Sequence, residues 1–173
     1  LGLTVHRYSD HLTPDEIRVA EQVSTTLPMA DIPAYRFDDT AVGEHALPGA
    51  LRFFARGTLE GEPQGEYVLR SYFKASLLTA CAIRRLLDTV SYDAAVFHHG
   101  IYVPQGIVGE FARRGNVRVI NWNAAYRKKC FIFSHGDTYH HTLMSEPVES
   151  WERMAWTADM ETRIKDYLKS RWQ

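Results

Sequence analysis

Asp93-Ala94-Ala95-Val96-Phe97-His98-His99-Gly100-Ile101-Tyr102-Val103-Pro104-Gln105-Gly106 carries the strongest architectural signal in the chain. Its first six residues form a short apolar run, the pattern of a buried parallel strand. A polar loop follows over 100–105, and residues 106–114 read as a helix ended by Gly115. Two further apolar runs come next, Val117 to Trp122 and Cys130 to Ser134, the second closed by Gly136-Asp137. Strand, loop, helix, strand is a βαβ unit, with its loop at the carboxyl edge of a sheet. The expectation is an α/β domain with a mostly parallel sheet.

Upstream lies the clearest helix, from about Glu66 to Asp88. Leu69, Tyr72, Phe73, Ser76, Ala80, Ile83 and Leu87 recur at the steps one buried face requires. Further back, Thr13-Pro14-Asp15-Glu16 predicts a capped helix start running to about Thr25: Thr13 caps, Pro14 gives up an N–H that would be unpaired anyway, and Glu16 closes a capping box. Residues 28–64 read as irregular, with one helical candidate from Val42 to Arg56 that Pro48-Gly49 is expected to interrupt. Downstream, amphipathic helices are expected near Val148–Met154 and Thr157–Ser170.

A chain of 173 residues supports one well-buried core rather than two. A net charge of −1 gives no general attraction to nucleic acid or an anionic membrane. Cys81 and Cys130 share no metal or redox spacing and read as separate reduced thiols, and no apolar stretch is long enough for a membrane span. The chain begins at Leu1 without a Met and stops just after a helical run, so both ends read as cut from a longer protein. No dinucleotide, P-loop or nucleophile-elbow motif is present, and the basic residues carry no nucleic-acid recognition pattern.

Ligands of open α/β sheets bind at the carboxyl ends of strands, and the two densest polar clusters fall there. The first is His98 to Gly106, where Gly100 and Gly106 permit tight turns before a helix N-terminus. Side chains alternate along a strand, so His98 and His99 should point opposite ways, with His99 facing the cleft. The bland reading is that both merely close the strand. The second cluster is Ser134 to His141. Its His135, Asp137 and His140 could ligate a metal, or the segment could be a polar turn with a capping Asp. If the strands are parallel neighbours, the two loops face each other across one cleft.

Between Glu110 and Asp137 there is no acidic residue, while Arg113, Arg114, Arg118, Arg127, Lys128 and Lys129 all occur. Arg113 and Arg114 read as a solvated face. Arg127, close to Trp122, Asn123 and Tyr126, offers stacking and hydrogen bonding suited to sugars, and Lys128 could meet a phosphate.

The stretch Tyr92 to Gly106 resembles the first-domain strand-loop-helix of bacterial capsule and exopolysaccharide glycosyltransferases with the two-domain GT-B fold. Val42-Gly43-Glu44-His45-Ala46, Leu51-Arg52-Phe53-Phe54, Phe133 to His141, Trp151-Glu152 and Tyr167 to Arg171 are similar to the same group. The resemblance implies a Rossmann-like, three-layer domain that binds the acceptor, with a nucleotide-sugar held mainly by a second domain. It implies transfer to the hydroxyl of a glycan or lipid-linked acceptor, in the cytoplasm or peripheral to the inner membrane, with no metal or cofactor required. His99 is the first candidate for general base and Asp137 the second. Tyr102 and Gln105 would hold acceptor hydroxyls, and Arg127 or Lys128 would meet phosphate. His98, Gly100, Gly106, Trp122, Asn123, His135 and His140 complete the expected substrate site. Two other readings stay open: a metal-dependent hydrolase using His99, His135, Asp137 and His140, and a non-catalytic carbohydrate-binding module.

Overall fold

The capping box at Thr13 forms as its residues dictate. Thr13 Oγ1 accepts from the Glu16 backbone N–H at 3.2 Å, and Glu16 Oε2 accepts from Thr13 N at 2.8 Å. This starts α1, Pro14–Thr26. The computed structural model describes residues 2–125, 128–144 and 147–171, apart from the side chains of Leu143, Met144, Ser150 and Arg171.

A 3-10 turn at Met29–Ala34 leads to α2, Val42–Phe54, which runs unbroken through Pro48. The expected interruption does not occur. Proline removes one helical hydrogen bond, but Gly49 lets α2 lie directly on Tyr72, where a Cβ would come 2.6 Å from the ring. Packing on both sides of that glycine outweighs the local propensity. Tyr72 belongs to α3, Gly65–Thr89, whose buried face includes Leu69, Phe73, Ser76 and Ala80 as the periodicity requires. Together with Ile32, Val42, Ala46, Ala50, Ile107 and Phe111 these residues make the core, which is chiefly helix against helix.

The βαβ unit follows. β1, Ala94–His98, leads through α4, Gln105–Arg114, to β2, Arg118–Ala124. The two strands pair in parallel, from Ala94 opposite Arg118 to His98 opposite Trp122. β3, Phe131–His135, then returns antiparallel to β2, so the sheet is mixed and ordered β1-β2-β3. This corrects the mostly parallel expectation. A parallel return needs a crossover of roughly a dozen or more residues, whereas only residues 125–130 join these strands. The joint is a hairpin, closed by Ala125 N–H on Cys130 O at 2.9 Å. α4 packs on one face of the sheet, with Gly109 against Phe97. On the other face Val96, Phe131 and Phe133 stay 60%, 59% and 62% exposed.

The fold is thus mixed α/β, divided into two compact units, Leu1–His141 and Thr142–Gln173. The first holds every described residue of the expected site. In the second, α6 spans Val148–Glu152 and α7 spans Ala158–Arg171, after α5 at Tyr139–Met144. Among the described residues no helix is long and apolar enough to cross a membrane.

Candidate functional site

The strand pattern of β1 ends at His98, and the next two residues take left-handed backbone angles, φ +64° at His99 and +81° at Gly100. Glycine adopts this conformation freely; a histidine does so at a cost of about 1–2 kcal/mol. Three hydrogen bonds hold it there: His99 N–H to Trp122 O at 3.1 Å, Gly100 N–H to His98 O at 2.8 Å, and Thr138 Oγ1 to His99 O at 2.7 Å. The turn also overturns the expectation that His98 and His99 diverge. Alternation applies only while the chain stays extended, and here the two rings meet edge to face with centroids 4.2 Å apart.

Because β3 is antiparallel, its carboxyl end lies level with Ile120, away from the β1 loop. The second loop nevertheless reaches the first. After Gly136, at φ +81°, residues 137–141 turn back, and Thr138 and Tyr139 become buried. His99 Nδ1 then lies 3.3 Å from His140 Nε2, with the rings stacked 5.5 Å apart and 9° from parallel. Loss of water around His99 is the largest cause holding its ring well below the usual histidine range, at about 4; His98, Arg52 and His140 add to it. His140 is lowered for the same first reason, and then by His141. Both rings are therefore neutral at neutral pH.

Around this pair, Tyr102 stands 5.6 Å from His99, and the Arg52 guanidinium lies 4.7 Å over the Tyr102 ring. His98 lies tilted against Trp122, ring centroids 4.7 Å apart, and its Nε2–H donates to Asn123 Oδ1 at 2.8 Å. Asn123 is buried: its Oδ1 also accepts from Ala124 N–H at 3.0 Å, and its Nδ2 donates to the Tyr139 hydroxyl at 2.9 Å. The carbonyl expected to meet a sugar is spent orienting His98. Gly100 is packed so tightly that a Cβ would sit 2.5 Å from Asn121 Nδ2. Asn121 itself is 1% exposed, and its side-chain amide has no hydrogen-bond partner among the described residues.

The remaining expected residues scatter. Asp137 caps the Thr138 N–H at 2.7 Å and pairs with His141 at 2.9 Å and Arg113 at 3.5 Å, turned to these partners rather than to His99. His135 is exposed on β3, and Lys128 is exposed in the hairpin turn at the same end of β2 as the β1 loop. Gln105 is half-buried at the start of α4, and Arg127 lies outside the described residues. Among the described residues no three His, Cys, Asp or Glu side chains are grouped to hold a metal ion, so the four-residue hydrolase set is not assembled.

Residues that sequence reasoning passed over complete the site. His45 of α2 donates from Nδ1 to Ile101 O at 3.0 Å, in the space left by Gly106, where a Cβ would come 2.2 Å from that nitrogen. Arg114 is exposed and Arg113 half-buried, and both also tie chain segments together. Arg113 reaches Glu110 at 2.7 Å and Gly136 O at 3.4 Å; Arg114 bonds Thr40 Oγ1 at 2.9 Å and Asp38 O. The only hint was the three-residue spacing of Glu110 and Arg113 on one helix.

No family model, curated protein or solved structure matches the chain.

Proposed function

We propose that this chain is the acceptor-side domain of a surface-polysaccharide glycosyltransferase, with His99 as the general base. In this reading the β1-α4-β2 unit belongs to a Rossmann-like half of a GT-B arrangement, and a second domain holds the nucleotide-sugar. The setting is the cytoplasm, at or near the inner membrane, with a glycan or lipid-linked acceptor. The observation that carries the reading is the neutral His99–His140 pair beside Gly100 and Tyr102.

The chemistry follows from the tautomer that leaves a base available. His99 gives its Nδ1–H to His140 Nε2 and keeps a lone pair on its own Nε2. That nitrogen takes the proton of the acceptor hydroxyl while the hydroxyl oxygen bonds to the anomeric carbon. The bond from that carbon to the nucleotide diphosphate breaks, and the diphosphate leaves with the electron pair. The proton rests on His99, where the lone pair of His140 stabilises the imidazolium. A positioned base of this kind contributes typically about 10²–10⁴ in rate. The Tyr102 hydroxyl and Gln105 amide orient the acceptor, and Arg127 or Lys128 meets the diphosphate.

The test combines two measurements. The purified chain is titrated with fragments of bacterial surface glycans while the His99 and Tyr102 ring signals are followed by NMR; these signals should move first. The full-length protein, given nucleotide-sugars and a glycan acceptor, should lose at least about a hundredfold in turnover with His99→Asn. Asparagine keeps a nitrogen where Nδ1 stands but removes the base. Unmoved ring signals together with undiminished turnover overturn the proposal.

A further inference from the structure

A line of polar and charged side chains, His45, Glu110 and Arg113, runs beneath both loops. His45 Nδ1 holds Ile101 O at 3.0 Å, and His45 Nε2 faces Glu110 Oε1 at 3.7 Å. The same carboxylate oxygen accepts from Arg113 Nη2 at 2.7 Å, and Arg113 Nη1 reaches Gly136 O at 3.4 Å and Asp137 at 3.5 Å. One end of this line is the carbonyl after Gly100, and the other is the turn that carries His140 back to His99. His45 is only 13% exposed at its side chain, and Gly106 is the small residue that admits it.

We infer that His45, Glu110 and Arg113 form one positioning device that sets the β1 loop and the 136–141 loop relative to each other, with Glu110 as its pivot. His99 and His140 come from loops that leave opposite ends of the sheet, so their 3.3 Å contact is not imposed by strand pairing. It is imposed by whatever holds the loops. Thr138 on His99 O is one tie, His98 through Asn123 to Tyr139 is a second, and the Glu110 line is a third that reaches both loops. Glu110 stays ionised well into acid: the His45 ring beside it is the first cause holding its carboxyl at about 2, with Arg113 adding to it. The device thus persists through the range in which His99 works. The inference deepens the transferase reading by naming positioning residues, and it rests on that reading only for the use of the histidine pair.

Amide hydrogen exchange and histidine ring titration in the 173-residue chain test it. In Glu110→Ala, amides of both loops, 100–106 and 136–141, should exchange about tenfold faster while those of α3 keep their rates. The His99 midpoint should rise from about 4 toward its usual range as water reaches the ring. Two variants of His45 separate its two contacts. His45→Asn keeps a donor near Ile101 O but loses Glu110, and His45→Gln keeps one near Glu110 but loses Ile101 O; a device that needs both contacts loses protection of the 100–106 loop in either variant. If Glu110→Ala speeds exchange throughout the chain alike, leaves either loop unchanged, or leaves the His99 midpoint in place, the residues are ordinary ion pairs and the inference fails. Since no sugar is present in these measurements, failure of the transferase reading leaves this result standing. The reverse also holds.

Discussion

His99 and His140 face each other with Nδ1 and Nε2 3.3 Å apart, a separation that only one shared proton can bridge. Two protonated rings at that distance would set donor against donor and charge against charge, in a setting already poor in water. Removing the second ring relieves both effects. In His140→Ala the His99 ring should therefore titrate closer to its ordinary range than the value of about 4 it now has. A pH series of histidine Cε1–H signals reads this directly, and an unchanged midpoint would show that the pair is not coupled.

Stability should decline with acid in two separate windows. His99 is lowered on folding from 6.5 to about 4, so the unfolded chain binds the extra proton first. Its contribution is complete above about 6.5 and is lost as pH falls toward about 4. Glu16 and Glu110 are lowered from 4.5 to about 2, Glu16 chiefly by Arg85 and Glu110 by His45; their contributions are complete above 4.5 and are lost toward about 2. Urea midpoints measured across pH should show a first loss that His99→Gln reduces, the remainder coming from His140, which is lowered in the same direction. A second loss, which Glu16→Gln reduces, should remain.

Much of the helical half was legible because its signals are local. Thr13, Pro14 and Glu16 lie within one turn, and the apolar face of α3 repeats within its own length. Thr13→Ala should accordingly cost about 1 kcal/mol in a urea melt, the usual worth of a cap. The direction of β3 was less legible, since a crossover can be excluded only by counting the short link from Ala125 to Cys130. The site was legible as to its loops but not its partners. His99 and His140 stood out as polar residues after apolar runs. His45 and Ile101 are 56 residues apart, and no pattern in the chain announces their bond. Asn121 lies inside the apolar run from Val117 to Trp122 and drew no reading, and only its burial beside Gly100 gives it meaning.

That burial has a measurable consequence. An amide shut away from water without a partner costs about 1–3 kcal/mol, and an apolar side chain of similar shape escapes that cost. Asn121→Leu should therefore raise the urea midpoint. If the amide serves a ligand at the Gly100 loop, the same variant should bind glycan more weakly even as it becomes more stable. A fall in stability would mean that the amide is satisfied in solution.

Gly100 allows a finer separation of causes. Alanine there meets two obstacles: a left-handed backbone at φ +81°, and a Cβ brought within 2.5 Å of Asn121 Nδ2. The first belongs to residue 100 alone and costs about 1–2 kcal/mol. The second depends on the neighbour and disappears when Asn121 is shortened. A double-mutant cycle of Gly100→Ala with Asn121→Ala should therefore show a favourable coupling, on the order of 1 kcal/mol, with the alanine at position 100 costing less in the Asn121→Ala background. The part of the cost that remains is the backbone's own. Strict additivity would mean that the loop moves away from β2 and never presses on Asn121. In that case the left-handed turn alone accounts for the glycine.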